Sequence, residues 1–288
     1  MPPISKVVVT GGSGRVGRYV VEELARTFDV TNADRVASDA SVTYVPTDVM
    51  DLEAVRQVTK GADAVVHLAA IDYDWKAAPE SYIRVNTLGS WHVLQAAAEN
   101  GVRKVVLTSS ISACGLSEMR ADWTPRYLSV DEDHENRPVQ AYSVSKRIIE
   151  EMGLSFTRGT DMDVICLRPL AVVLPETLPE FVDFIDNPEL HWLYYYVTAQ
   201  DVARGFRAAL ETDGLRYGAF FLSAADTCRP EPTLEWYRER FGELPEIRNP
   251  RLYRTNPRAS VFSSNRARDL LGWEPTSDFL ELRAAQGL

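Results

Sequence analysis

The chain has 288 residues, 45% of them hydrophobic and 25% charged, with 16 glycines and 16 prolines. This composition excludes collagen-like, coiled-coil and disordered proteins and fits one large domain, or one domain with a small appendage. The net charge of −10 repels polyanions, so neither nucleic acid nor an anionic membrane is an expected partner. Cys114, Cys166 and Cys228 are odd in number and far apart, with no Cys-x-x-Cys or Cys/His ligand spacing. A reduced compartment and no metal site follow. The apolar run from Lys6 to Val9 leaves no room for a signal peptide and no stretch nears membrane-spanning length, so a cytoplasmic location is expected.

Short β-branched runs alternate with longer amphipathic segments through the first two-thirds of the chain, the pattern of a parallel sheet covered by helices on both faces. Strands are expected at 6–10, 29–33, 42–45, 64–68, 104–108 and 164–168, with helices at 14–26, 51–59, 79–100 and 139–157. Asn100-Gly101 reads as the C-cap of the third helix. A further helix at 199–211 has Thr198 as its N-cap. Beyond Arg168, Pro175, Pro179, Pro188 and a group of aromatics break the alternation; 220–222 reads as one more strand, and 234–241 and 266–271 as helices. The long connection 111–138, rich in charge and proline, is of a length more often functional than idle.

Thr10-Gly11-Gly12-Ser13-Gly14-Arg15-Val16-Gly17 follows the first strand and opens the first helix. Glycines so spaced permit a tight turn, let the backbone approach a pyrophosphate and allow close helix–sheet packing, and the helix start presents free N–H groups. Gly11, Ser13, Gly14, Arg15, Val16 and Gly17 are therefore candidate cofactor contacts. Asp34, at the end of the second strand, suits the adenosine ribose hydroxyls and favours NAD over NADP. The adjacent Arg35 blunts that preference and leaves NADP possible. Asp48 and Val49 suit either the adenine edge or a solvated surface. The expected architecture is α/β: a doubly wound parallel Rossmann sheet over 1–170 and a small, partly irregular C-terminal substrate-binding region over 171–288, with 197–222 returning to the Rossmann core.

Tyr142 and Lys146 sit four residues apart on a predicted helix and share a face. Thr108-Ser109-Ser110 ends a predicted central strand, at the sheet edge where open α/β sheets bind ligands. With the Thr-Gly-x-x-Gly-x-x-Gly start come His67-Leu68-Ala69-Ala70, Asn86-Thr87-Leu88-Gly89, Gly115, Leu167-Arg168-Pro169, Asp201-Val202-Ala203 and Leu271-Gly272-Trp273-Glu274-Pro275. In this order they resemble the extended short-chain dehydrogenase/reductase family, also called the NAD-dependent epimerase/dehydratase family, over nearly the whole chain. The resemblance implies that Tyr142 takes the alcohol proton as hydride leaves for the nicotinamide. It implies that Lys146 favours the phenolate and holds the nicotinamide ribose, and that Ser110 hydrogen-bonds the substrate oxygen. It also places Leu68, Ala69, Ala70, Asn86, Pro169 and Ala171 near the cofactor. His67 reads as a packed core residue rather than a base, and Arg168 and Asp201 as structural. A homodimer through the helices at 79–100 and 139–157 is a further implication.

Three features bear on the substrate. Asp201 follows Arg168 by only 33 positions, short for a nucleotide-holding insert, and from Pro169 to Ala203 there is no Lys or Arg. A diphosphate or carboxylate wants a guanidinium or ammonium, so a small neutral substrate is expected. Ile111 and Ser112 follow Ser110 where the uronate dehydrogenases have carboxylate-holding polar residues, a departure that argues against a uronate, while the compact length still resembles that group. Asp72, Tyr73, Trp75 and Ser112 are candidate substrate contacts. Phe181, Phe184, Trp192, Tyr194, Tyr195 and Tyr196 are suited to stack on a sugar or an apolar ring, and for half of them packing within the smaller region is at least as good an account. The leading expectation is an NAD-dependent dehydrogenase of a small sugar-like molecule; the alternatives are a nucleotide-sugar 4-epimerase with tightly bound NAD and a non-catalytic dinucleotide sensor.

Overall fold

The computed structural model describes residues 3–38, 41–73, 77–187 and 192–288. Lys6–Thr10 (β1) lies between two parallel neighbours, Asp29–Asp34 (β2) and Ala64–His67 (β4). Thr43–Pro46 (β3) extends the sheet past β2. On the other side follow Lys104–Thr108 (β5), Asp163–Pro169 (β7) and Tyr217–Leu222 (β10). The order among the described residues is β10-β7-β5-β4-β1-β2-β3, all parallel. Two short parallel pairs complete the strands, Tyr127–Leu128 (β6) with Glu246–Ile247 (β11), and Val172–Val173 (β8) with Val197–Thr198 (β9). The central strands are buried along nearly their whole length, as a sheet covered on both faces requires.

Helices Gly17–Leu24 (α1) and Ala199–Glu211 (α7) pack together on one face; Leu52–Thr59 (α2), Gly89–Glu99 (α4) and Ala141–Gly159 (α5) cover the other. Two apolar cores result, one per face, and the first runs on into the C-terminal residues. Asp51 caps α2 through the Glu53 and Ala54 N–H groups, and Thr198 caps α7 through that of Asp201. Gly101, at φ +70°, ends α4. Asp201 accepts from Thr276 N and Ser277 Oγ, while Trp273 Nε1 donates to the Asp201 carbonyl oxygen. The terminal Leu-Gly-Trp-Glu-Pro motif thus locks the C-terminal segment to α7.

Two expected helices differ. The first begins at Gly17 rather than 14, because Gly14 N–H bonds back to the Gly11 carbonyl and keeps 14–16 in the turn. The segment expected as one helix over 79–100 is split: Pro79–Tyr82 (α3), a π-helical stretch Ile83–Leu88, then α4. Asn86 accounts for the break. Its side chain accepts from Ile71 N at 2.7 Å and donates to Ile71 O at 3.0 Å, and Ser90 Oγ takes the Asn86 carbonyl at 2.6 Å, diverting helical hydrogen bonding.

Candidate active site

Because every strand of the sheet points the same way, the segments leaving β1, β4, β5 and β7 emerge along one edge. They enclose a cavity of about 540 Å³. The glycine turn forms part of its wall. Gly11 has φ +77°, and a Cβ there would lie 2.4 Å from Ala69 N; a Cβ on Gly17 would lie 2.1 Å from the Gly11 carbonyl oxygen. These glycines are therefore what lets β1, the following turn and the segment after β4 meet. The start of α1 has no side-chain cap and no acidic residue in its first turn, so its positive end remains for an anion. At the adjoining edge Asp34 accepts from Ser13 N at 3.0 Å, and Asn32 donates to Ser13 Oγ at 3.0 Å. A glycine cradle, an uncapped helix start and a strand-end carboxylate are together the kind of groups that could hold a dinucleotide, the first two its pyrophosphate and the third its adenosine ribose.

Gly11, Gly14, Arg15, Val16, Gly17, Leu68, Ala70, Pro169 and Ala171 line the cavity. Ser13, Asp34, Arg35, Asp48, Val49, Ala69 and Asn86 do not. Ser13 and Asp34 hold the turn, Ala69 backs Gly11, and Arg35 is exposed beside Asp34. Asp48 bonds Met50 N, the Val49 carbonyl takes His92, and Asn86 ties the segment after β4 to α5 through Ser145.

Ser110, Tyr142 and Lys146 are all buried and all line the cavity. The first comes from the end of β5, the other two from the opening turns of α5. Lys146 Nζ donates to the Thr108 carbonyl at 2.9 Å and lies 5.6 Å from the Tyr142 ring centre. Burial pushes the Lys146 ammonium down to about 8, and the Asp72 charge resists this. Burial, reinforced by Asp72, pushes the Tyr142 phenol above its ordinary value, while a hydrogen bond with Ser110 acts the other way. Tyr73 and Tyr82 meet the Tyr142 ring edge-on at 5.3 and 5.7 Å. These two rings are two positions that the sequence pattern does not mark as a cage for Tyr142.

Behind these groups lies a hydrogen-bonded layer. His67 is buried between Thr10 Oγ1 at 2.7 Å and Ser90 Oγ at 2.8 Å, and burial lowers it to about 3, the Lys146 charge adding to this; it stays neutral as a core residue. Arg168 clamps Glu150 with two bonds of 2.6 and 2.7 Å, and Ser109 Oγ donates to the same carboxylate. Glu150 escaped the sequence reading, although its spacing of four after Lys146 puts it on the same helix face.

Among the remaining candidates Asp72, Tyr73 and Ser112 line the cavity. Asp72 pairs with Arg15 at 2.8 Å, and Tyr73 donates to Gln140 Oε1 at 2.5 Å. Trp75 lies outside the described residues. The aromatic group divides: Phe181, Phe184, Trp192 and Tyr195 line the cavity, whereas Tyr194 packs on Trp236 and Tyr196 bonds Asp226 at 2.6 Å. Ser117, Met119 and Thr177 also line it without having been singled out; the first two lie in the long 111–138 connection.

The chain is 28% identical over 216 residues to L-arabinose 1-dehydrogenase (NAD(P)(+)) of Haloferax volcanii, covering 72% of this chain and 83% of that protein. It is 33% identical over 170 residues to N-acetyl-alpha-D-glucosaminyl-diphospho-ditrans,octacis-undecaprenol 4-epimerase of Escherichia coli O157:H7, covering 58% of this chain and about half, 48%, of that enzyme. In fold it matches a short-chain dehydrogenase/reductase superfamily protein of Agrobacterium tumefaciens solved with bound NAD, at a TM-score of 0.74, 24% identity and coverage of 98% and 97% of the two chains. The sequence pattern of the NAD dependent epimerase/dehydratase family matches residues 7–187. The chain belongs to that family, and is an NAD-dependent enzyme of the extended short-chain dehydrogenase/reductase type.

Proposed function

We propose that the protein is a dehydrogenase that oxidises a hydroxyl carbon of a small, neutral, sugar-like molecule at Ser110, Tyr142 and Lys146. The observation that carries this reading is the burial of these three side chains on one cavity wall shared with the glycine turn. NAD, when bound, supplies the hydride acceptor. Ser110 donates a hydrogen bond to the substrate oxygen and fixes it beside the Tyr142 hydroxyl. Tyr142 removes the alcohol proton. Its burial opposes loss of the phenolic proton, so the Lys146 cation beside its ring is what makes the phenolate accessible. With its value at about 8, Lys146 remains largely charged at neutral pH.

The substrate side supports a neutral molecule. Among the described residues the cavity holds Arg15 and Lys146 as its cations, and these already face Asp72 and the Thr108 carbonyl. The similarity to an L-arabinose 1-dehydrogenase supports a sugar of this size. The test is absorbance at 340 nm with NAD or NADP against neutral aldoses, lactones, uronates, aromatic alcohols and UDP-sugars. Reduction of NAD by a neutral aldose is expected. Redox silence with interconversion of a UDP-sugar, especially if NAD co-purifies, would replace this reading by a 4-epimerase.

Ile83, Leu88 and Trp91 are exposed on the helical stretch that packs against α5, with Trp91 edge-on to Phe156 at 5.1 Å. A second copy of the chain is the occupant we assign to this face; light scattering should return twice the chain mass of 32.3 kDa.

A further inference from the structure

Beyond the reacting groups, two residues of the cavity wall each carry a buried polar atom with no hydrogen-bond partner among the described residues. They are Trp192 Nε1 and the Tyr195 hydroxyl, in residues only 7% and 1% exposed. Both residues line the cavity. Their rings stack at 4.2 Å, Phe184 meets Trp192 edge-on at 5.4 Å, and Phe262 backs Tyr195 at 5.2 Å. Tyr194, at φ +50°, is in the left-handed region, which an aromatic residue rarely adopts. That turn lets Tyr194 pack on Trp236 while its neighbours Trp192 and Tyr195 face the cavity.

Two serines lie between this corner and the reacting groups. Ser110 Oγ accepts from Ser112 N, Ser117 Oγ donates to Ser112 Oγ at 2.8 Å, and the Tyr195 hydroxyl lies beside Ser117. A buried donor left unmatched works against folding. Two of them just beneath one wall suit a ligand that enters the cavity and shifts the rings enough to reach them.

We propose that Trp192 and Tyr195 form a specificity subsite for the oxygen-bearing edge of a neutral ring, remote from the carbon that reacts. Trp192 Nε1–H and the Tyr195 O–H donate to ring hydroxyl oxygens, and Phe181 and Phe184 cover the C–H face. The proposal rests on the dehydrogenase reading above and names the substrate class for it: a polyhydroxy ring of one sugar unit. A hydrocarbon ring would leave both donors unmatched. A nucleotide diphosphate would find no uncommitted cation among the described lining residues.

The test compares wild type with Trp192→Phe and Tyr195→Phe, which keep a ring and remove the donor. The NAD-loaded protein is titrated calorimetrically with L-arabinose, D-galactose, cyclohexanol and UDP-galactose, and NADH formation is followed separately. A neutral sugar should bind, each variant should weaken it about tenfold, and NAD affinity should be unchanged. Without sugar, each variant should melt about 2 °C higher, because an unmatched buried donor is gone; a residue that only packs would not give that combination. Equal sugar binding by both variants, binding of only cyclohexanol or UDP-galactose, or no binding at all overturns the subsite. A sugar that binds through these donors without being oxidised leaves the subsite standing and overturns the dehydrogenase reading instead.

Discussion

The two walls of the cavity are held in different ways. On the side of the glycine turn and α5, the groups at and behind the wall are tied to other groups of the protein: Lys146 to the Thr108 carbonyl, His67 between Thr10 and Ser90, Asp34 to Ser13 N, Arg168 to Glu150. On the aromatic side, Trp192 Nε1 and the Tyr195 hydroxyl have no hydrogen-bond partner among the described residues. A matched wall fixes reacting groups in one geometry, which chemistry needs. An unmatched wall keeps its hydrogen bonds for whatever arrives, which is how a site discriminates between substrates.

The strongest way to test the matched wall is to remove its reacting hydroxyl. Tyr142→Phe should lower kcat about a thousandfold, within the range general acid–base catalysis contributes. NAD binding, measured by calorimetry, should persist because the glycine turn is untouched. Retained turnover would remove Tyr142 from the reaction.

Next in size is the layer behind it. Arg168→Met would leave the Glu150 carboxylate buried with Ser109 and the half-exposed Arg147 as its remaining side-chain partners. Stripping one partner from a buried ion pair costs about 3–5 kcal/mol, so urea denaturation should show a loss of that order. A loss under about 1 kcal/mol would mean that the pair is not what braces β7 against α5.

The same contrast explains what could be read from the amino-acid order. The glycine turn is legible because its chemistry is local: a strand, a tight turn and an uncapped helix start within a dozen residues. Tyr142 and Lys146 are legible through their spacing of four, and the central strands through unbroken runs such as Val7-Val8-Val9. Ser117 and Tyr195 are not, because they meet across 78 positions and only the completed fold brings them to one corner. The aromatic group could not be sorted in advance either. An extended segment would put Trp192, Tyr194 and Tyr196 on one side, but the positive φ at Tyr194 breaks that alternation and pairs Trp192 with Tyr195. The π-helical stretch was hidden for a related reason, since Asn86 diverts the helix by bonding a distant backbone segment.

A smaller effect tests whether the matched wall is strained by its own charge. Lys146 falls from 10.5 to about 8 on burial, so the unfolded chain binds more protons between those values and stability should rise with pH through that window. Below about 8 the cost of the buried ammonium is fully present. Lys146→Met removes this cost but leaves the Thr108 carbonyl without its donor. It should therefore stabilise the protein at pH 7 by about 2 kcal/mol, with the gain fading toward pH 10. A gain that does not change between pH 7 and 10 would show that packing, not charge burial, separates the two proteins.

The smallest effect concerns the edge where the matched wall meets solvent. Asp34 is only half-buried, and its Oδ2 accepts from Ser13 N at 3.0 Å. A carboxylate so placed attracts ribose hydroxyls and repels a 2′-phosphate. Near the surface such a repulsion is worth about 1–4 kcal/mol at contact distance, and Arg35 beside it offsets part. Asp34→Ala should shift the ratio of kcat/KM for NAD over NADP about tenfold toward NADP, which corresponds to about 1.4 kcal/mol at the lower end of that range. NAD affinity itself should also fall, because the ribose hydroxyls lose a charged acceptor and the glycine turn loses the bond from Ser13 N. An unchanged ratio would place the 2′ position away from Asp34 and assign the selection to Arg35 or to residues of the neighbouring strand end.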